Sequence, residues 1–306
     1  MINTAFPNKI LDKYNIDYYN YILPLDLQNT ISNQNHDLLN TRELRLQKIY
    51  TDEVWMKIKS ISLDNFNWKD KDVLDVASGN GFLSYHLLQR VNPKKIVLSD
   101  ISPSAINESK ELINSNFKDV LVEFKEFDVL KSDLTDASFD VIIGNSFIHH
   151  FYDIPEAFKE FYRLLKPGGI FVSLHEPTPA AAAVESGNFL RMFWWLIRGK
   201  KYISDVRKIK GDFSLDDNIG GDVWLLEKND MIRLLKEAGF DSVKISFWNI
   251  FRSFFVALFN MHLNEQKKSL NKIQIYLLKL GIAMDYFLSK FLPTSSFGSI
   301  SICAKK

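Results

Sequence analysis

Short apolar runs, each too brief for a helix, alternate along this chain with longer stretches whose apolar residues recur every three or four positions. The runs are Val73–Val76, Lys95–Asp100, Val120–Phe124, Ser138–Asn145, Ile170–His175, Ser242–Trp248 and Gly298–Ala304. Between them, Leu83, Leu87 and Leu88 open one helical pattern, and a second starts near Pro103. A third, from Pro155, carries Ala157, Phe158, Phe161, Leu164 and Leu165, and is stopped by Lys166-Pro167-Gly168-Gly169. A fourth runs from Asp230 to Ala238 with Asn229 as its cap and Gly239 as its stop. Strands alternating with helices predict an α/β sheet whose ligands gather at the carboxyl ends of the strands.

Three regions leave this alternation. Residues 1–70 are expected to form a helical extension, with Tyr14, Tyr18, Tyr19 and Tyr21 clustered before Pro24. Within it, Leu44, Leu46, Ile49, Val54, Trp55 and Ile58 make a helical stripe over Thr41–Ser60 behind the cap Thr41, with Arg42 and Arg45 able to reach a carboxylate. Residues 178–226 hold the aromatic run Phe189–Arg198, including Trp194 and Trp195, then Lys200, Lys201, Arg207, Lys208 and Lys210 against the single acid Asp205, then a loop over Asp212–Asp222 rich in Gly and Asp. Two readings stay open for 189–210: contact with a membrane surface, or a lid helix packed on the core. Residues 249–295 read as a second helical insertion, with Phe251, Phe254, Phe255, Leu258 and Phe259 followed by Ile273, Tyr276, Leu277, Leu280, Met284, Phe287 and Leu288. Lys279, Asp285 and Lys290 interrupt that stretch, which argues against a spanning helix. The remaining 71–306 form the main domain, and the two apolar insertions would roof an acceptor pocket or build a homo-oligomer interface.

Composition narrows the functional classes. A chain of 306 residues accommodates one large domain with insertions or two smaller ones, and a net charge of +1 gives no electrostatic case for nucleic acid. The one cysteine, Cys303, lies in an apolar terminal run and reads as a buried, inert thiol. The N-terminus shows no basic region followed by an apolar stretch, and no run of eighteen apolar residues occurs, so a cytoplasmic protein is expected, with membrane-peripheral contact as the open alternative.

The candidate chemistry sits in Val73-Leu74-Asp75-Val76-Ala77-Ser78-Gly79-Asn80-Gly81-Phe82-Leu83-Ser84, a strand, a tight turn and a helix start. Glycines there let backbone approach a ligand, and the first helical N–H groups point at it. A dinucleotide would set its pyrophosphate at that helix end, where Asp75 repels it, and would want a third glycine where Ser84 stands. S-adenosylmethionine carries an ammonium and a sulfonium instead, which makes Asp75 a counter-charge. Asp100, about twenty residues on, ends the second run where a carboxylate can accept both hydroxyls of a ribose; its other reading is a helix cap, which Ser102 supplies equally well.

With its acid, alternating glycines and the later Leu-Leu-Lys-Pro-Gly-Gly phrase, the chain resembles the class I S-adenosylmethionine-dependent methyltransferases of small-molecule type, although Ala77 stands at the first glycine position. The resemblance implies a Rossmann-like, doubly wound seven-stranded sheet with an antiparallel last strand, and N-terminal helices covering S-adenosyl-L-methionine. It implies a cofactor site of Asp75, Ala77, Ser78, Gly79, Gly81, Asp100, Ile101, Asp128, Val129 and Asn145, in which Asp128 meets the adenine amino group and the Val129 amide meets the ring. A carboxylate suits that amine because it only accepts.

Phe147, His149 and His150, at the carboxyl end of the fourth run, are candidates to line the acceptor site. Either histidine would be the catalytic base, with support of the loop as the competing role. His175 and Glu176 end the fifth run on the same side, and no local spacing calls for a metal. Asn145-Ser146-Phe147-Ile148 departs from the Asn/Asp-Pro-Pro-aromatic signature of relatives that methylate DNA bases. The expected acceptor is a small or lipid-like molecule with an apolar body, methylated on oxygen. A nicotinamide-dependent oxidoreductase and a non-catalytic cofactor-binding subunit are the alternatives.

Overall fold

The seven apolar runs form one sheet. In the computed structural model, which describes residues 44–63, 66–151, 153–178, 180–181, 225–258 and 270–306, the chain begins with helix α1 (Leu44–Ile61) and enters the sheet at β1 (Asp72–Val76). There follow α2 (Phe82–Leu88), β2 (Lys95–Asp100), α3 (Pro103–Asn116), β3 (Val122–Glu126), β4 (Phe139–Asn145), α4 (Ile154–Leu164) and β5 (Leu165–Pro177). The second half adds α5 (Lys228–Glu237), β6 (Ser242–Trp248), α6 (Phe251–Leu258), α7 (Lys272–Leu288) and β7 (Ser299–Lys305). Sheet order is β3-β2-β1-β4-β5-β7-β6, and β7 runs antiparallel to both neighbours. The expected seven-stranded Rossmann-like architecture is thereby met.

Unbroken apolar runs form these strands because helices cover both faces, so neither face needs polar residues. One layer joins Leu74, Val76, Ile142, Phe147, Phe158, Phe161 and Phe171, with Phe161 stacked on Phe171 at 5.0 Å. The other joins Val73, Ile96, Leu98, Val141 and Ile143 to Val54, Trp55 and Ile58 of α1, so the N-terminal helix is part of the core. Cys303 is buried in that layer, its thiol pushed up to about 12 by burial.

Three boundaries differ from the sequence reading. β3 starts two residues late, since Leu121 is 59% exposed and only its carbonyl joins the sheet, accepting from the Ile96 N–H at 3.0 Å. Helix α5 begins at Lys228 behind Glu227, with no side-chain cap, where the Leu226 N–H is held by the Pro177 carbonyl. Asn229 therefore lies inside the helix. Lys166-Pro167-Gly168-Gly169, read as a helix stop and reversal, opens β5 itself: the register with β4 jumps between Phe139↔Leu165 and Val141↔Ile170, and Gly168, at φ 76, absorbs the irregularity. Lys166 then reaches Asp72 at 2.6 Å and Asp140 at 2.8 Å, tying β1, β4 and β5 together at the end of the sheet away from the site.

Among its described residues, the second insertion forms α6 and α7, packed on each other and on α1. Gly281 lets them touch, because a β-carbon there would lie 2.8 Å from the Arg252 Cα. Asp285 does more than interrupt an apolar stretch. Buried at 1% exposure, its carboxylate accepts the N–H groups of Asn249, Ile250, Phe251 and Arg252 at 2.8 to 3.3 Å, satisfying the donors at the start of α6. Burial pushes this carboxyl up to about 6, and the four N–H donors limit the rise. The tyrosine cluster, Thr41, Arg42, the aromatic and basic run 189–210, the loop 212–222 and Phe259 lie outside the described residues, and so does the Arg45 side chain.

Replacing Asp285 by Ala leaves four buried amides without their acceptor, at about 1–3 kcal/mol each before relaxation. The expected outcome is a denaturation midpoint several degrees lower, with Asp285→Asn between the two proteins; equal midpoints for Ala and wild type would refute this role.

Candidate active site

The strand order reverses between β1 and β4, so the loops leaving these two strands diverge and open a crevice at their carboxyl ends. The loop after β1 turns through three left-handed residues, Ala77 (φ 49), Gly79 (φ 52) and Gly81 (φ 80). Two are glycines, as such backbone favours. Ala77 carries a side chain into the same conformation at a cost of order 1 kcal/mol.

Polar groups brace this loop against β2. The Ser78 N–H donates to the Ser99 carbonyl at 2.8 Å and the Gly79 N–H to Asp100 Oδ2 at 2.9 Å. Asp100 Oδ1 accepts from the Ser102 N–H at 2.9 Å, while Ser102 itself caps α3, so the two alternative caps have separate jobs. The Phe127 N–H donates to the Asp100 carbonyl at 3.1 Å, which brings Asp128 and Val129 to the same end. Asp128 is half-buried and accepts from the Leu130 N–H at 3.0 Å, and Val129 is buried. Asn145 ends β4 two residues beyond Ile143, the partner of Asp75, and is half-buried, as is Ile101. The structure thus gathers all ten cofactor candidates at the carboxyl ends of β1 to β4.

Asp75 lies beneath the loop at 1% exposure. Ser84 Oγ, from the first turn of α2, donates to its Oδ2 at 2.5 Å, and Oδ1 has no hydrogen-bond partner. Burial pushes the carboxyl up to about 7; the Ser84 hydrogen bonds oppose the rise and the nearby Asp100 charge adds to it. Ser78 Oγ is a second buried oxygen without a partner in this loop.

The turn after β4 is held from β5. Glu176, wholly buried, accepts on Oε1 from the Phe147 N–H (3.0 Å), the Ile148 N–H (3.1 Å) and Ser173 Oγ (2.6 Å), and its Oε2 lies 2.7 Å from His149 Nδ1. Burial alone would raise this carboxyl, but the His149 contact, Ser173 and the Phe147 amide outweigh it and hold it below the usual range. His149 is therefore a buried partner of Glu176, whereas His150 is exposed, the two rings 4.0 Å apart. Phe147, expected beside the acceptor, is in the core instead: its ring sits where a β-carbon on Gly144 would lie, 2.5 Å away.

A second polar network joins α1 and α6 to the end of β5. Lys57 of α1 donates to Glu53 at 2.8 Å and approaches His175 Nδ1 at 3.2 Å; Arg252 of α6 reaches the other oxygen of Glu53 at 3.2 Å. Burial raises the Glu53 carboxyl, but Arg252 and Lys57 bring it down to about 2. Burial together with Lys57 and Arg252 lowers His175 to about 3, so its ring is neutral near pH 7. His175 and Glu176, which end the fifth run on the ligand side, both have protein partners. Ser84 was legible only as a missing glycine, not as a donor to Asp75, and the Glu53–Lys57 pair, although four residues apart on α1, meets Arg252 and His175 199 and 118 positions away, which no sequence spacing signals.

Among the described residues, no group of three or more His, Cys, Asp or Glu side chains is placed to hold a metal ion, and no helix is long and apolar enough to cross a membrane.

A family profile described as a methyltransferase domain matches residues 67–239. Over 146 residues, 48% of this chain and 57% of the relative, the chain is 30% identical to the demethylmenaquinone methyltransferase of Deinococcus radiodurans. The match thus spans little more than half of that protein. It is 27% identical to the ubiquinone/menaquinone biosynthesis C-methyltransferase UbiE of Rickettsia prowazekii over 219 residues, 68% of this chain and 81% of the relative. Among solved structures, the geranyl diphosphate C-methyltransferase of Streptomyces coelicolor, in complex with Mg2+, geranyl diphosphate and S-adenosyl-L-homocysteine, superposes with a TM-score of 0.52 at 12% identity, covering 84% of this chain and 79% of that one. With its profile match, its sheet order and its glycine loop at the carboxyl end of β1, the chain belongs to the methyltransferase domain family, on the class I fold of enzymes that take their methyl group from S-adenosylmethionine.

Proposed function

We propose that this protein transfers a methyl group from S-adenosylmethionine to a small acceptor with an apolar body, of the quinone or isoprenoid kind. The observation that carries the donor assignment is the pair of partnerless buried oxygens, Asp75 Oδ1 at the end of β1 and Ser78 Oγ in the loop above it, whose backbone is already braced by β2. A buried oxygen without a donor costs free energy, and a cationic ligand relieves that cost where a pyrophosphate would deepen it. The residues present therefore fit the donor: Asp75 and Ser78 at its methionine part, Asp100 at the ribose, and Asp128 with the Val129 amide at the adenine.

When bound, S-adenosylmethionine supplies an electrophilic methyl on a sulfonium. The chain has then to align a nucleophile with it and exclude water, and alignment alone is worth about 7–11 kcal/mol in favourable cases. The Asn145–His150 turn, clamped by Glu176, supplies the wall on the acceptor side. His150 is its exposed imidazole and the group we assign to take a proton, with His149 holding the turn through Glu176. The Rickettsia relative and the Streptomyces solved structure are C-methyltransferases by name, which favours carbon over the oxygen expected from sequence as the methylated atom. Support for the apolar acceptor comes from the same names and from the second apolar insertion, α6 and α7, whose start at β6 lies on the site edge. Nothing supports the nicotinamide reading, because Ser84, at the position of the third glycine, is committed to Asp75.

Incubation with methyl-labelled donor and a panel of demethylated quinones and prenylated phenols should give labelled product. Donor binding without transfer to any member or to a lipid extract would leave the non-catalytic reading standing. The pH dependence is specific. A raised carboxyl contributes stability that is present below its unfolded value of 3.8 and lost as pH rises through about 7, so ligand-free protein should lose up to about 4 kcal/mol over that window from Asp75. Donor binding should run the opposite way, tightening from pH 6 to pH 7.5 as Asp75 ionises. Asp75→Asn should flatten both profiles, stabilise the ligand-free protein near pH 8 and weaken donor binding by one to two orders of magnitude; unchanged profiles in calorimetry would sink the assignment. Glu176→Gln, which loosens the turn and not the glycine loop, should lower turnover at least tenfold while donor affinity stays within about twofold. Equal losses in both would move Glu176 to the donor side.

A further inference from the structure

Helix α7 presents to solvent a face that the core does not explain. Ile273 (68% exposed), Tyr276 (65%), Phe287 (59%) and Phe291 (70%), the last in the turn after the helix, are four of the six exposed large apolar residues among those described. At about 100° per residue Ile273, Tyr276 and Phe287 fall in one stripe about 60° wide, with half-buried Leu280 inside it, Met284 about 20° beyond its edge and Phe291 following at the helix end. Along one flank of that stripe run Lys272 and Lys279, within about 20° of each other, and Lys290 follows in the turn after the helix; all three are exposed. The one acid between residues 271 and 292 is Asp285, which is buried on the opposite side and caps α6. The outward face is therefore apolar and aromatic along one edge and purely cationic along the other, over about 24 Å of helix.

We propose that this face docks on an anionic lipid surface, the stripe entering the headgroup boundary and the lysines pairing with lipid charge. Aromatic and aliphatic residues beside a lysine row are what an interfacial helix needs, since each contributes where the other cannot. Tyr276 carries an amphipathic ring suited to that depth, and long lysine stems can follow the apolar edge while their ammonium groups stay in water. A second copy of the chain fits less well: α7 has no exposed acid to meet the partner's lysine row. The face is also coupled to the site edge. Asp285 holds the amides that follow β6, Tyr286 lies 6.0 Å from Trp248, and Arg252, Glu53 and Lys57 continue the contact to His175 at the end of β5. A surface seated on α7 would thus lie on rigid structure beside the crevice. This inference does not rest on the proposed acceptor, and vesicle binding by a protein without turnover would leave it intact.

The full-length protein is to be floated with vesicles of phosphatidylcholine alone and of phosphatidylcholine with phosphatidylglycerol, in low and high salt, alongside light scattering without lipid. Wild type should float with the anionic vesicles and far less with the neutral ones, and high salt should release it. The variant Lys272→Gln/Lys279→Gln/Lys290→Gln should bind on the order of a hundredfold more weakly, at roughly fivefold per lysine. Phe287→Asp/Phe291→Asp should abolish flotation while keeping the wild-type melting temperature, as both positions are exposed. Flotation that survives both variants, or wild type that never floats, overturns the proposal. A dimer that dissociates in Phe287→Asp/Phe291→Asp, without vesicle binding by wild type, overturns it in favour of a second copy.

Discussion

A carboxylate removed from water has to be given donors, and the site edge of this sheet is built around four that are treated differently. Glu176 receives three hydrogen bonds and the His149 contact, and is held ionised. Asp285 receives four amides and still titrates upward. Asp100 receives an amide on each oxygen. Asp75 has Ser84 on one oxygen and nothing on the other. The shortfall at Asp75 sets it apart: Glu176 and Asp285 are taken up by scaffold groups, Asp100 braces the glycine loop while each oxygen keeps acceptor capacity for a ribose, and Asp75 is one donor short, beneath the loop where a cation would lie.

The same accounting separates the two histidines. Adjacent in sequence, they face different surroundings because Glu176 reaches only one of them. His149 belongs to the clamp that fixes the turn after β4, and His150 remains on the outside of that turn. Rigidity here has a physical source. Phe147 is locked between Gly144 and the aromatic layer of Phe161 and Phe171, and its amide is bound to Glu176, so the turn is held by its ring and its backbone together.

The helices around the sheet follow from the same end. α1 packs its apolar side into the core and its Glu53–Lys57 pair over the end of β5, and α6 answers with Arg252. Buried ion pairs of this kind add little stability by themselves, but breaking one partner is costly, so they set which helix sits where. The outcome is that α1 and α6 are fixed at the end of β5, while α7, packed on both, keeps an exposed outer face.

Chain sequence alone determined the alternation of strands and helices, the glycine loop and the strand-end acids at 75, 100 and 128, because periodicity and turn chemistry are local and survive without tertiary context. β6 and α3 are legible for the same reason, an apolar run in one and a Ser-Pro start in the other. The role of Glu176, the Ser84 donor to Asp75, the burial of Phe147 and the work of Asp285 were decided by tertiary structure. Each depends on partners up to 36 positions away that meet only in the folded chain: Ser84 when α2 packs over β1, Glu176 when β5 lies beside β4, and Asp285 when α7 packs against α6. A lone acid in an apolar helix pointed towards Asp285, but its four partners lie in a different helix. Sequence names the residues able to carry charge, and only packing says which of them will be left without a donor.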